Sequence, residues 1–241
     1  MAEIVSKLGV VIVAAGSASR MQGIDKQELE VLGVPVVVRS IRAFDRCPQV
    51  EEIVVVTRAE KVEHLWELVR HFGLSKVSHV VAGGSTRQQS VKNGVLALEK
   101  TSPLLAIHDG ARPFVTGAVI EACRSLAEQT GAATAAVVTK DTIKVAAADG
   151  SIQETPDRSR LYLTQTPQIF RREDYRAAMD QAEKCGWDCT DDCQLLERMG
   201  KKVYLAQGDY RNIKITTPED LPLAQALAQS VDQEATEEKN N

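Results

Sequence analysis

The residues able to do chemistry gather in a few short stretches. A small-residue loop, Ala14-Ala15-Gly16-Ser17-Ala18-Ser19, leads to Arg20 and Met21, with Lys26 and Gln27 close behind. Small side chains let backbone N–H groups approach a ligand, and two fixed cations in reach suit a polyphosphate. The spacing is neither Walker A, which needs Gly-Lys-Ser/Thr, nor the dinucleotide pattern Gly-x-Gly-x-x-Gly. Next come Gly83-Gly84-Ser85 with Arg87 and Ser90, then Asp109-Gly110-Ala111-Arg112-Pro113. Lys140, Asp141, Thr142 and Arg158 follow, then Thr166-Pro167-Gln168, Thr190-Asp191-Asp192 and Lys214. The set is rich in Arg, Lys and Thr and poor in His and nucleophilic Cys. It points to phosphoryl or nucleotidyl transfer, an in-line displacement in which the protein positions groups and neutralises charge. A phosphate nucleophile is already ionised at pH 7, so no general base is required. Asp109 is the natural Mg²⁺ ligand, because that ion typically takes one or two carboxylates plus substrate phosphates.

Each residue alone also has a plainer reading. Arg20 and Lys26 are then solvated loop cations, Asp109 caps the next helix, and Arg112 pairs with a surface carboxylate. Thr190 is a helix N-cap, and Thr142 and Lys144 are ordinary strand residues. Lys214, between Ile213 and Ile215, faces away from both and toward solvent. His108 is a packed residue rather than a catalyst. The functional expectation rests on the ensemble, which falls just past strand ends, where open α/β sheets bind ligands.

The elements that position this ensemble alternate. Strands are expected at Val10–Val13, Glu52–Thr57, Val77–Val81, Leu104–Ile107 and Ala135–Val138, with late strands at Val203–Ala206 and Ile213–Ile215. Helices are expected at Val36–Phe44, over Val62 to Val69, from a Ser85 or Thr86 cap to Lys100, at Gly117–Gln129, Arg172–Lys184 and Asp191–Met199, and from Thr217. This alternation implies an α/β fold, a mostly parallel central sheet flanked by helices. Residues 139–163 break the rhythm as a hairpin-like arm, Thr142–Val145 alternating against Arg160–Leu163 around Asp149-Gly150. One domain is expected over 1–229, and a disordered polar tail over 230–241.

Composition narrows the setting. In 241 residues, 44% are hydrophobic but only 4% aromatic, so the core must be aliphatic. A net charge of −4 argues against general nucleic-acid or anionic-membrane affinity. No signal peptide and no bilayer-length apolar run is visible, which leads to the expectation of a cytoplasmic protein. Cys185, Cys189 and Cys193 have helical spacing but not that of a zinc site, and read as free thiols.

Together these motifs resemble the 2-C-methyl-D-erythritol 4-phosphate cytidylyltransferases of the non-mevalonate isoprenoid pathway. The likeness runs from about Gly9 to Ala226. It includes Ala14-Ala15-Gly16…Arg20-Met21…Lys26-Gln27, Gly83-Gly84…Arg87…Ser90-Val91 and His108 through Pro113. It continues with Asp141–Lys144, Arg158, Gln165–Gln168, Thr190–Asp192 and Asn212–Thr216. The resemblance implies a Rossmann-like nucleotidyltransferase that joins CTP to the alcohol phosphate and releases pyrophosphate. It implies that Arg20 and Lys26 stabilise the transition state and that Arg158 and Lys214 position the substrate phosphate. Arg112, Thr142, Thr166 and Thr190 would surround the substrate. Ala14, Ala15, Gly16, Gly84, Ser85, Ser90 and Gly110 would contact CTP, and Asp109 would bind Mg²⁺. It also implies a homodimer in which the arm of one subunit reaches the other's site. Ala18 stands where the family usually has Gly, and Ser85 where an acidic residue is common. The rival readings are a ribitol-5-phosphate cytidylyltransferase, a nucleotide-sugar glycosyltransferase and a non-catalytic nucleotide-binding module.

Overall fold

The structure, a computed structural model, describes residues 5–16 and 29–240. Chain order begins with β1 (Leu8–Val13), then β2 (Glu30–Val31) and β3 (Val34–Pro35), joined by a turn at Leu32 and Gly33 with φ of 50° and 71°. Helix α1 (Val36–Asp45), β4 (Val50–Thr57), α2 (Val62–His71), β5 (Val77–Ala82), α3 (Arg87–Leu96) and β6 (Leu104–Asp109) follow. Then come α4 (Gly117–Thr130), β7 (Ala132–Val138), β8 (Val145–Ala146), β9 (Ile152–Glu154) and β10 (Tyr162–Arg171). The last elements are α5 (Arg172–Cys185), α6 (Cys193–Arg198), β11 (Tyr204–Gln207) and α7 (Asp220–Asn240).

Seven strands form one sheet in the order β11-β7-β10-β6-β1-β4-β5. All neighbours are parallel except β10, which runs antiparallel to both β6 and β7. The strands are apolar on both faces because helices cover both. Val10, Ile12, Ile53, Val55, Leu104 and Ala106 pack under α1, α2 and α4. Val11, Val54, Val56, Leu105 and Ile107, one residue out of phase, pack under α3, α5 and α6. Full burial of each such side chain contributes about 1.5–3 kcal/mol over exposure. Helix α3 lies especially close: a Cβ on Gly94 would come 2.5 Å from Val11 Cγ1 and 2.6 Å from Val56 Cγ2.

Several expected elements differ. Residues 160–163 do not pair with 142–145; Tyr162 and Leu163 begin β10, against Val138 and Val137, and the arm hairpin is β8 with β9. The polar run Gln165–Gln168 hides β10 from a pattern search, yet these residues are buried and paired with other loops. Ile213–Ile215 is a loop rather than a strand. Helix α3 stops at Leu96 instead of Lys100, because the buried Glu52 carboxylate takes the Glu99 and Lys100 N–H groups at 3.1 and 2.8 Å. The last helix continues through Asn240 where a disordered tail from Ser230 was expected. Its Gln, Glu, Ala and Lys residues are good helix formers. Among the described residues, no helix is long and apolar enough to cross a membrane.

Candidate active site

Asp109 is the final residue of β6, level with Val13 at the end of β1. The loops beyond these strands are stitched side by side. Gly110 N–H donates to Val13 O at 2.9 Å, Ala14 N–H to Val56 O at 2.7 Å and Gly83 N–H to Thr57 O at 2.7 Å. Gly83 lets two loops touch, since a Cβ there would lie 2.6 Å from the Ala15 Cβ and 2.8 Å from Ser90 Oγ. Ser90 Oγ accepts the Gly84 N–H at 3.0 Å and donates to Thr86 O at 2.9 Å. Ser85 donates twice to Gln89 Oε1, each at 3.0 Å, while Thr86 caps α3 by accepting the Gln89 N–H. The glycine-rich turn after β5 and the small residues after β1 therefore form one surface at the carboxyl edge.

Among the described residues, three cations surround Asp109. Lys214 Nζ lies 2.8 Å from Oδ2, Arg112 Nε 3.7 Å from Oδ2, and Arg87 Nη2 3.8 Å from Oδ1. Burial alone would raise the Asp109 carboxyl, but Lys214, Arg87 and Arg112 outweigh it and hold the group far below the ordinary carboxylate range. Asp109 does not cap the next helix, whose N-cap is Thr116. Lys214 is exposed, as its alternation with Ile213 and Ile215 suggests, with 38% of its side chain open, yet its ammonium turns onto Asp109. The segment is pinned on both sides of it. Ile215 N–H donates to Ala111 O at 2.9 Å, and the buried Asn212 donates to Thr166 O at 2.8 Å and receives Arg112 Nη1 on its carbonyl at 2.7 Å.

His108 braces this edge from beneath. It is fully buried, 4.8 Å from the Phe44 ring, and burial pushes its pKa down to about 4. Arg112 O, 3.3 Å from Nε2, can only accept, so the neutral ring keeps its proton on Nε2 and its Nδ1 accepts the Thr166 hydroxyl at 2.9 Å, while Thr166 Oγ1 accepts the Asp109 N–H at 3.1 Å. The neutral imidazole thus links Thr166 to the Asp109–Arg112 turn and has no open face for proton transfer.

A second buried group was not singled out from sequence. Asp192 Oδ2 lies 2.7 Å from Arg87 Nη1, and Asp192 Oδ1 accepts the Tyr175 hydroxyl at 2.5 Å. Gln168 fixes the loop, accepting the Asp192 N–H and donating to Asp191 Oδ2, both at 3.0 Å. Adjacent Thr and Asp residues mark the segment in sequence, but nothing there tells which of them turns inward.

The remaining expected residues separate into four groups. Ala14, Ala15, Gly16, Gly84, Ser85, Gly110, Arg112 and Lys214 lie on loops at the carboxyl edge, with Ser90 in the first turn of α3 and Thr166 on β10 beside them. Thr142 and Arg158 lie on the exposed arm, where Arg158 Nη1 donates to Lys140 O at 2.9 Å. Thr190 is exposed and bonded to Gln194; the N-cap of α6 is Asp192, and Asp191 Oδ1 accepts the Gln194 N–H at 3.1 Å. Arg20 and Lys26, with Ala18, lie outside the described residues. The cysteines are free, and Cys185, Cys189 and Cys193 do not share one helix face because Gly186 ends α5. A cavity of about 390 Å³ beside Leu104, lined by Arg171, Arg172 and Arg176, sits at the opposite end of β6 from Asp109.

The family model for IspD, 2-C-methyl-D-erythritol 4-phosphate cytidylyltransferase, matches residues 8–230. The chain belongs to this cytidylyltransferase family. A 2-C-methyl-D-erythritol 4-phosphate cytidylyltransferase from Caldanaerobacter subterraneus is 46% identical over 220 residues, covering 90% of this chain and 97% of the relative. One from Geobacter metallireducens is 45% identical over 221 residues, covering 90% and 95%. Among solved structures, a 4-diphosphocytidyl-2C-methyl-D-erythritol synthase from Anaerococcus prevotii superposes with a TM-score of 0.84 at 30% identity, covering 93% of this chain and 96% of the other. A family member is a nucleotidyltransferase enzyme, which sets aside the glycosyltransferase and the non-catalytic module. The antiparallel β10 carries Thr166 to Asp109 and Gln168 to Asp192.

Proposed function

We propose that the strand-end surface around Asp109 is the transfer site of a cytidylyltransferase and that Lys214 and Arg112 receive the substrate phosphate there. As a member of its family, the protein transfers the cytidylyl group of CTP to 2-C-methyl-D-erythritol 4-phosphate. A phosphate oxygen of the alcohol phosphate bonds to the α-phosphorus, the bond to the β-phosphate oxygen breaks, and pyrophosphate leaves. The nucleophile arrives ionised, in keeping with a site whose one histidine is buried and neutral. What carries the reading is the Lys214–Asp109 contact at 2.8 Å on the carboxyl edge of the sheet. A lysine so held has its charge poised at one point and can exchange its carboxylate partner for a phosphate at small reorganisation cost.

Asp109 is the residue that would hold Mg²⁺. It offers one ionised carboxylate at this edge, and an ion there would complete its shell from phosphates and water. Bound Mg²⁺ would offset the charge of the polyphosphate. Ala14, Ala15, Gly16, Gly84, Ser85, Ser90 and Gly110 are assigned to CTP, Thr166 and Thr190 to the alcohol phosphate, and Arg20 and Lys26 to the transition state. Thr142 and Arg158 on the arm are assigned to the site of a second subunit in a homodimer. Support for the dimer comes from apolar side chains open to solvent on the arm and the nearby sheet edge: Ile152 at 64%, Leu163 at 51% and Leu205 at 48% exposed. Apolar surface left open in this way supports reading it as an interface.

The test is pyrophosphate release with CTP, Mg²⁺ and a panel of alcohol phosphates. Methylerythritol phosphate is expected to turn over fastest. Faster turnover of ribitol 5-phosphate, or full activity in Lys214→Ala, would overturn the assignment.

A further inference from the structure

Asp192 is only 2% exposed, yet its carboxylate is divided between two partners from different elements. Tyr175, on α5, donates to one oxygen, and Arg87, in the first turn of α3, lies against the other. Tyr175 is itself rigid, its ring stacked on Phe170 with centroids 5.0 Å apart and planes at 20°. Gln168 clamps the backbone of the same loop. Arg87 follows the Gly83–Thr86 turn directly; one arm of its fork is tied to Asp192 and the other reaches toward Asp109, with 31% of its side chain open.

We propose that Asp192, braced by Tyr175, is a positioning residue that holds the Arg87 guanidinium between the glycine-rich loop and Asp109, so that its open edge meets the nucleotide's polyphosphate. This rests on the reading of that loop as the CTP half of the site. A purely structural clamp between α3 and the α6 loop would gain as much from apolar packing, because buried ion pairs seldom add net stability. A tethered guanidinium loses little freedom on meeting a phosphate and presents its fork in one plane. Released from Asp192, Arg87 still has the Asp109 carboxylate 3.8 Å from its Nη2 and would collapse onto it, spending its fork on the wrong partner.

The experiment compares Asp192→Asn, Tyr175→Phe, Arg87→Gln and the double variant Arg87→Gln/Asp192→Asn in steady-state assays, with CTP affinity measured by calorimetry. Asp192→Asn is expected to raise KM and Kd for CTP about tenfold while KM for the alcohol phosphate moves less than about twofold. Tyr175→Phe should shift the same constants in the same direction, by about threefold. The double variant should be no worse than Arg87→Gln, since Asp192 acts through that residue. If Asp192→Asn melts at the parent temperature and binds CTP as the parent does, the proposal fails. Additive losses in the double variant would also overturn it. Should Asp192→Asn not fold, Tyr175→Phe decides by the same two constants. Asp109→Asn is the control for the underlying reading: if it stays active, that reading fails, whereas its loss alongside a normal Asp192→Asn removes the positioning role alone.

Discussion

Lys214 Nζ and Asp109 Oδ2 meet at 2.8 Å at the carboxyl edge of the sheet, although they come from opposite halves of the chain. The pair ties the loop before α7 to the end of β6. It places a movable cation beside a carboxylate that is charged across the working pH range. Arg112 and Arg87 stand behind it, so Lys214 can leave Asp109 without stranding an unpaired buried charge.

Lys214→Ala should therefore cut kcat/KM for the alcohol phosphate by a factor of about 10² or more, with KM for CTP moved far less. Pyrophosphate release under varied concentrations of each substrate separates the two constants. An equal rise in both KM values would place Lys214 on the nucleotide instead.

The buried His108 sets a pH window for stability. Its pKa falls from 6.5 to about 4 in the fold, so the unfolded chain binds the extra proton between those values. Stability should fall as pH drops through that window, by about 3 kcal/mol in all, and then level off with respect to this group. Asp109 has the opposite chemistry, a carboxylate held ionised. Its contribution is complete above its ordinary value near 3.8 and is lost only as pH falls below it. Denaturant melts from pH 7 to 3 should show two separate declines. His108→Gln should remove the upper one and leave the lower.

Gly83→Ala places a methyl group 2.6 Å from the Ala15 Cβ, a backbone-borne atom that cannot rotate away. The two strand-end loops must then separate. CTP affinity should weaken by about tenfold, while the melting temperature changes little because the strands beneath are untouched. Gly94→Ala is the contrasting case. It drives a methyl group into Val11 and Val56 under α3, and overpacking of this kind costs about 1–3 kcal/mol. A Gly83→Ala protein with parental CTP affinity would show that the two loops do not act together.

The arm can be tested through its exposed apolar residues. Ile152→Glu puts a charge on the arm strand β9, where a second subunit is proposed to pack. Sedimentation should show monomers, with activity lost in proportion. Mixing inactive Arg158→Ala with inactive Lys214→Ala subunits should restore about a quarter to a half of the parental activity if the arm serves the partner's site. No recovery on mixing would keep Arg158 within its own subunit.

Much of the sheet was legible because its strands are buried on both faces. Ile53 to Val56 and Leu104 to Ile107 read as unbroken apolar runs, and helices covering both sides are the consequence. Strand β10 was not legible. Its middle, Gln165-Thr166-Pro167-Gln168, is polar because its Gln and Thr side chains bond the Asp109, Asp192 and Asn212 loops rather than fill a core. The arm's pairing was misread for the same reason, since Tyr162 and Leu163 belong to that strand. Lys214 was placed by alternation on a strand that does not form.

By itself, the sequence determined the alternating α/β order, the glycine and small-residue turns at strand ends, and the inventory of Arg, Lys, Thr and Asp that suits nucleotidyl transfer. These are local properties, written in periodicity and residue type. Only the tertiary structure decided which charges meet. Lys214, Arg112 and Arg87 converge on Asp109, and Asp192 turns inward to Arg87 and Tyr175. The physical reason is that a buried charge must find its compensating partner in space, and side chains far apart in the chain become partners only when the strands carrying them lie side by side.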